Sequence, residues 1–245
     1  MKELFQKSFI RAFVAALALC LITVSATAQQ KKSTLPLKRA NDAARHSRQA
    51  AQVFNRIMVV PDKAIPKELL EKAEAVAVFP NVLRAAFVVG GRKGQGVISR
   101  RTLAGWSAPA FFNVSGGSFG PQIGASSTDY VLLFMNEGGL RGLLEDKFEI
   151  GGEAAIAAGP IGRAASASTN ATLDAAILSY SRSEGAFVGA ALKGVVISPD
   201  NDLNEAFYGM KGGEMVMSNS ISGTLIPSGV RPFTLALNRY SRRKL

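Results

Sequence analysis

Catalysis needs a nucleophile with its base, a pair of placed acids, or a metal cage, and this sequence offers little of each. Gly116-Gly-Ser-Phe-Gly120 spells the elbow that exposes a nucleophilic serine. The fold that uses it places a histidine base after the serine. The one histidine, His46, lies upstream, so the glycines read as a hairpin. Gly90-Gly-Arg-Lys-Gly-Gln-Gly96 fits neither the phosphate-binding loop nor the dinucleotide fingerprint, which also needs a helix to follow. One cysteine and one histidine exclude a Cys/His zinc site. Asp200 and Asp202 lack the remaining ligands of a calcium loop and suit a helix start, with Asp202 as the N-cap. Glu137, Glu145, Asp146, Glu149 and Glu153 cluster, but mostly on or beside an expected exposed helix, where acids ordinarily solvate. We therefore expect no enzyme, no metal and no cofactor.

Positive charge is the stronger signal. No Asp or Glu occurs between Glu74 and Asp129, whereas Arg84, Arg92, Lys93, Arg100 and Arg101 do. Formal net charge is +11 over 245 residues. Such an excess favours lipid headgroups, nucleic acid or acidic polysaccharide. Trp106, Phe111 and Phe112 sit nearby, either as core aromatics or as an apolar part of a binding surface. Cations interleaved with aromatics also suit single-stranded nucleic acid, but an exported chain would not meet it.

Export is expected from residues 1–28. Lys2, Lys7 and Arg11 precede the apolar run Ala12 to Val24, which is short for a membrane span, and Ala26-Thr27-Ala28 supplies a small-residue cleavage site. Cleavage near Ala28 removes three cations and one acid, leaving +9, and takes away Cys20, the single cysteine and a candidate for lipidation. The destination would be the periplasm or envelope.

The elements that must carry the charges follow from periodicity. Residues 29–38 read as a flexible basic arm. Arg39 to Val60 repeats apolar residues at steps of three and four (Ala43, Ala50, Val53, Phe54, Ile57), with Arg45, Arg48 and Arg56 on its polar side. That face is either solvated or turned to an anionic membrane. Pro66 opens a second, short helix. Strands are expected at Ala75–Phe79, Ala85–Val89, Gln95–Arg100, Gly105–Val114, Ser118–Gly124 and Thr128–Met135, separated by glycine turns. A short helix at Glu137 to Asp146 precedes strands at Lys147–Ile150, Ala154–Ala158, Ala165–Thr169 and Ala175–Ser181. Helices are expected again after Pro199 and from Pro232 to Arg243. Phe87-Val-Val-Gly…Lys93-Gly…Val97-Ile-Ser99 is echoed by Phe187-Val-Gly…Lys193-Gly…Val196-Ile-Ser198, which reads as two hairpins, each with a lysine at its turn. The fold class is α+β: mainly antiparallel β, sandwich- or barrel-like, with N-terminal helices packed on it and short helices in the middle and C-terminal parts.

Several longer motifs resemble one family. Phe79-Pro-Asn-Val82, Phe87-Val-Val-Gly-Gly91, Gly105-Trp-Ser-Ala-Pro-Ala-Phe111, Gly116-Gly-Ser-Phe-Gly120, Gln122-Ile-Gly-Ala125, Ala158-Gly-Pro-Ile-Gly-Arg163, Ser179-Tyr-Ser-Arg182 and Asn204-Glu-Ala-Phe-Tyr-Gly209 are similar in order and spacing to the SYLF domain family. The resemblance covers residues 39–210, with 211–245 as an extension. It implies non-enzymatic lipid binding, to phosphoinositides in eukaryotic members, some of which also bind actin. An exported protein is expected to meet anionic phospholipid and no actin. The lipid contact that the resemblance implies falls on the segment carrying Arg45, Arg48 and Arg56. Charge on glycine turns adds Arg84, Arg92, Lys93, Arg100, Arg101 and Lys193 as expected headgroup contacts. A structural envelope protein that binds another protein or acidic polysaccharide is the alternative.

Overall fold

The computed structural model describes residues 37–60, 64–103, 105–152, 154–162, 175–183, 186–190, 192, 194–218 and 221–241. For 86–89 and 118–123 it describes the backbone path. The chain divides into two units, Met1–Asn41 and Asp42–Leu245. Of the first, residues 37–41 are described and are helical. The following paragraphs concern the second. The expected leader (residues 1–28), Lys193 and the expected strand Ala165–Thr169 lie outside the described residues.

Helix α1 spans residues 37–58. Its inward stripe is the expected one: Ala43, Ala50, Val53, Phe54 and Ile57 are buried, at the spacing that keeps one helix face together. Two polar residues share that stripe, His46 and Ser47. Helix α2, Lys67–Lys72, starts behind Pro66, whose carbonyl accepts from Leu69 and Leu70 at 3.2 and 3.1 Å. Proline at that position loses no bond the helix would have made.

The expected succession of short strands proves to be two very long ones. β1 is Ala75–Thr102 and β3 is Ala110–Phe134, joined through the short β2, Gly105–Trp106. β1 and β3 form one antiparallel ladder, from Ala75 opposite Phe134 to Ile98 opposite Ala110. Helix α3, Glu137–Arg141, and a 3-10 turn, Gly142–Leu144, lead on to β4 (Phe148–Ile150) and β5 (Ile156–Ala158). Then come β6 (Ile177–Ser183), β7 (Ala186–Gly189) and β8 (Val195–Pro199). β3 is the hub: β8 joins its N-terminal end, Phe112 to Gly116, and β6 joins its C-terminal end, Asp129 to Phe134. All pairings are antiparallel except that of β5 with β6. The sheet curls into a nearly closed barrel, and the protein is α+β. Helices α4 (Asn201–Tyr208), α5 (Gly212–Ser218) and α6 (Arg231–Tyr240) complete it.

The glycines expected in turns instead lie inside strands, because β1 curls back on itself. A Cβ on Gly94 would come within 2.7 Å of Val82 Cγ2. One on Gly96 would overlap the Val78 carbonyl oxygen and lie 2.8 Å from Phe79 Cα. Real Cβ atoms do not pack that closely, so the curl needs backbone without side chains at those positions. Register shifts between Phe79 and Val82 and between Phe87 and Val88 supply the local bends. The echo at 187–198 is not a hairpin either, since β7 pairs with β6 while β8 pairs with β3 and β4.

Most of the family-like motifs turn out to hold this architecture together. Asn204 is fully buried; its Nδ2 donates to the Phe111 and Asp200 carbonyls at 2.8 and 2.9 Å, and its Oδ1 accepts from Phe111 N at 2.9 Å. Tyr208 stacks on Phe111 and donates to the Pro109 carbonyl at 2.8 Å. Burial raises the Tyr208 and Tyr180 phenol pKa values. Gly209 ends α4 with φ +72°, a left-handed cap that glycine adopts without strain. Asp200, rather than Asp202, is the N-cap of α4, accepting from Leu203 N at 3.1 Å. Trp106, Phe111 and Phe112 are each 1% exposed and belong to the core.

A cationic ribbon root as the candidate functional site

Between the β8 pairing, which ends at Gly116, and the β6 pairing, which begins at Asp129, the β1–β3 ladder has no third strand among the described residues. Here β1 runs from Val82 out to a bend at Phe87/Val88 and back to Gly94. Burial alternates along it as a strand requires. Arg84, Gly90, Arg92 and Gly94 are half-buried on the face that Val82 also occupies, and Leu83, Ala85, Gly91, Lys93 and Gln95 are exposed on the other.

The exposed face meets α1 at the root of this ribbon. Arg45, His46 and Gln49 of α1, with Pro80, Asn81, Leu83, Lys93, Gly94 and Gln95 of β1, line a pocket of about 400 Å³. No acid lines it. The nearby carboxylates are already engaged: Asp42 pairs with Arg45 at 2.8 Å, and Asp200 caps α4 and accepts from Gln95 Nε2 at 3.4 Å. Asn81 turns the chain here with φ +50°, a left-handed conformation asparagine tolerates better than most residues. Its amide donates to Asp129 Oδ1 at 2.9 Å, and Asp129 in turn pairs with Arg182 at 3.5 Å. The acid that closes the acid-free stretch is thus spent on holding the pocket wall.

His46 is 6% exposed, with its ring 6.3 Å from that of Phe111. Burial, and then the Arg45 charge, lower its pKa below the ordinary value, against opposing pulls from Asp42 and Asp200. At neutral pH it enters the pocket wall as an uncharged imidazole. On the opposite face of the ribbon, the Nε atoms of Arg84 and Arg92 are buried and have no hydrogen-bond partner among the described residues. A buried donor left unmatched is costly. The stem of Arg92 lies over Gly116, where a Cβ would stand 3.5 Å from its Cγ.

Two of the expected headgroup contacts need correction. Arg101 is 8% exposed and donates to the carbonyls of Leu70, Ala73 and Ser241, with its guanidinium 4.2 Å above the Trp106 ring. It ties α2 and the end of α6 to β1 and is a structural arginine. Arg100 pairs with Glu137 at 2.6 Å and donates to the Met217 carbonyl at 3.3 Å. The acid-free stretch in sequence did not leave it without an acid in space. Arg84 and Arg92 remain together on one face, while Lys93 joins Arg45 on the other. Arg48 and Arg56 are exposed on α1, and Arg56 bonds back to the Gln52 carbonyl at 3.3 Å. His46 was weighed in sequence only as a catalytic base, and Gln49, Asn81 and Gln95 were not offered as site residues. The signal for His46 was its place in line with Ala43 and Ala50 on the apolar stripe.

A curled two-strand ladder closed into a barrel, with a cationic pocket where a helix meets its ribbon, defines a binding module built on an α+β barrel. The comparisons make the class specific. The profile of the Ysc84 family, described as "Las17-binding protein actin regulator", matches residues 115–240. The chain belongs to this family, the SYLF domain family, whose members are binding and regulatory domains. Protein YSC84 of Saccharomyces cerevisiae is 36% identical over 152 residues, covering 60% of this chain and 32% of that protein. LAS seventeen-binding protein 3 of the same yeast is 34% identical over 152 residues, 60% of this chain and 33% of that protein. SH3 domain-containing YSC84-like protein 1 of Xenopus laevis is 32% identical over 170 residues, 66% of this chain and 50% of that protein. This chain therefore spans about a third to a half of the length of these relatives.

Proposed function

We propose that the chain binds anionic phospholipid, non-covalently and without chemistry, through the cations at the ribbon root. Arg45 and Lys93 serve one face, and Arg84 and Arg92 the other. The observation that carries this reading is the pocket lined by Arg45 and Lys93 with no acid among its described lining residues, and across the ribbon two buried Nε donors with no partner among the described residues. A phosphodiester supplies the acceptor oxygens that guanidinium geometry favours. Each cation near an anionic surface contributes about 1 kcal/mol, which makes four of them a reversible anchor. The basic leader followed by an apolar run and Ala26-Thr27-Ala28 supports export, and hence a bilayer of the cell envelope as the surface. No described helix is long and apolar enough to cross a membrane, so contact at the surface is the mode proposed.

Charge reversal tests it. Lys93→Glu combined with Arg92→Glu should lower the bound fraction on anionic vesicles at least about tenfold, as losing and reversing two such contacts requires. Arg48→Glu, away from the pocket, should have a smaller effect. Undiminished binding by the double variant, with its thermal unfolding unchanged, would redirect the search to a protein or polysaccharide partner.

A further inference from the structure

The lipid reading concerns the root of the ribbon and leaves its bend unexplained. The bend is made of Ala86-Phe-Val-Val89 on β1 and Ser118-Phe-Gly-Pro-Gln-Ile123 on β3. A two-stranded excursion of this length has free backbone edges and no sheet or helix paired to it among the described residues. Soluble proteins usually guard such edges with charge placed along them. Here the charges stand only at the root: Arg84, Arg92 and Lys93, distributed over both faces, with no acid between Glu74 and Asp129. Leu83, the first exposed residue on the outward leg, is 64% exposed.

We infer that the ribbon bend enters the acyl region of an anionic bilayer, while the cations at its root stay with the headgroups. This rests on the lipid reading above and adds a penetrating element to it. Three features favour a bilayer over a protein partner. Arg84, Arg92 and Lys93 all stand at the root and no charge stands at the bend, the order in which headgroups and acyl chains would meet an inserting ribbon. The path from Leu83 to Val88 covers about 16 Å at ~3.3 Å per residue, close to the ~15 Å depth of one hydrocarbon leaflet. The sequence at the bend is uncharged through both strands and carries Phe87, Val88, Val89, Phe119 and Ile123 beside the polar Ser118 and Gln122, which suits insertion, since a charge at that depth is costly.

Tryptophan depth-scanning in the full chain tests the inference. The single native Trp106 is 1% exposed and gives a constant background. Phe87→Trp at the bend, Ala85→Trp nearer the root and Asp202→Trp on the exposed side of α4 are compared on anionic phosphatidylglycerol vesicles, with and without acyl-brominated lipid. Emission from Phe87→Trp should fall about two-fold with bromine in the upper acyl chain. Ala85→Trp should be quenched less, and Asp202→Trp not at all. As a second readout, Phe87→Asp should weaken vesicle binding on the order of tenfold. If the vesicles bind all three tryptophan variants and none is quenched, the bend does not insert, and headgroup binding at the root stands without it. If none binds the vesicles, both readings fail. Equal quenching at Asp202→Trp would mean that the protein lies on the membrane by another face, and overturns the inference as well.

Discussion

Asn204 shows how much one side chain carries in this protein. It bonds the buried amide and carbonyl of Phe111 and the part-buried carbonyl of Asp200. Asn204→Ala would take the acceptor from the buried Phe111 N–H, while the Phe111 and Asp200 carbonyls keep backbone donors, and should cost about 1–3 kcal/mol in denaturant unfolding. The same truncation at exposed Lys93 should stay within about 0.5 kcal/mol. Finding equal costs would mean that the clasp between α4 and the β3 start contributes little. Such residues explain why the family-like motifs were easy to read yet said little about binding. Asn204, Tyr208 and Tyr180 stand in those motifs as side chains that bond and pack within the barrel. The pocket residues are drawn from the margins: His46 and Gln49 on a helix, Lys93 and Gln95 inside a glycine run. Arg101 illustrates the opposite error. In sequence it continues a basic run, and only the meeting of α2, β2 and α6 around it reveals three carbonyls for its guanidinium.

At the level of elements, the curl of β1 is the feature the sequence concealed. Glycine every few residues with apolar stretches between is the ordinary signature of short strands and turns, and Phe87 to Ser99 reads that way. What decides otherwise is a long-range approach: Gly94 lies against Val82 and Gly96 against Phe79. No local pattern encodes the distance between residues more than ten apart on one strand. Helix α1 was legible because its period of 3.6 is local, and so was the α+β class. The glycines give a direct test. Gly96→Ala should destabilise the protein by about 2–3 kcal/mol or prevent folding, as overpacking against backbone does. Gly117→Ala, in the two-stranded stretch with nothing within 4 Å of the added methyl, should change stability by less than about 0.5 kcal/mol. Thermal unfolding of the two variants side by side checks it. A destabilisation at Gly117 equal to that at Gly96 would show that the ribbon is packed against something.

For the whole molecule, the charge balance and the fold point the same way. A net charge of +11 favours anionic partners, and the barrel is a base from which one ribbon extends with no third strand among the described residues. Family relatives are named for Las17 binding and for attached SH3 domains, so the module also occurs within longer proteins. In this chain the cations at the ribbon root are the part that a membrane would read. The most direct measurement is co-sedimentation of the full chain with anionic and with neutral phospholipid vesicles over a salt series. The account predicts binding to anionic vesicles in excess of neutral ones, an excess that falls several-fold as ionic strength rises from about 0.05 to 0.3 M, where screening shortens electrostatic reach to a few ångströms. Equal binding to both vesicle types at every salt concentration would contradict it.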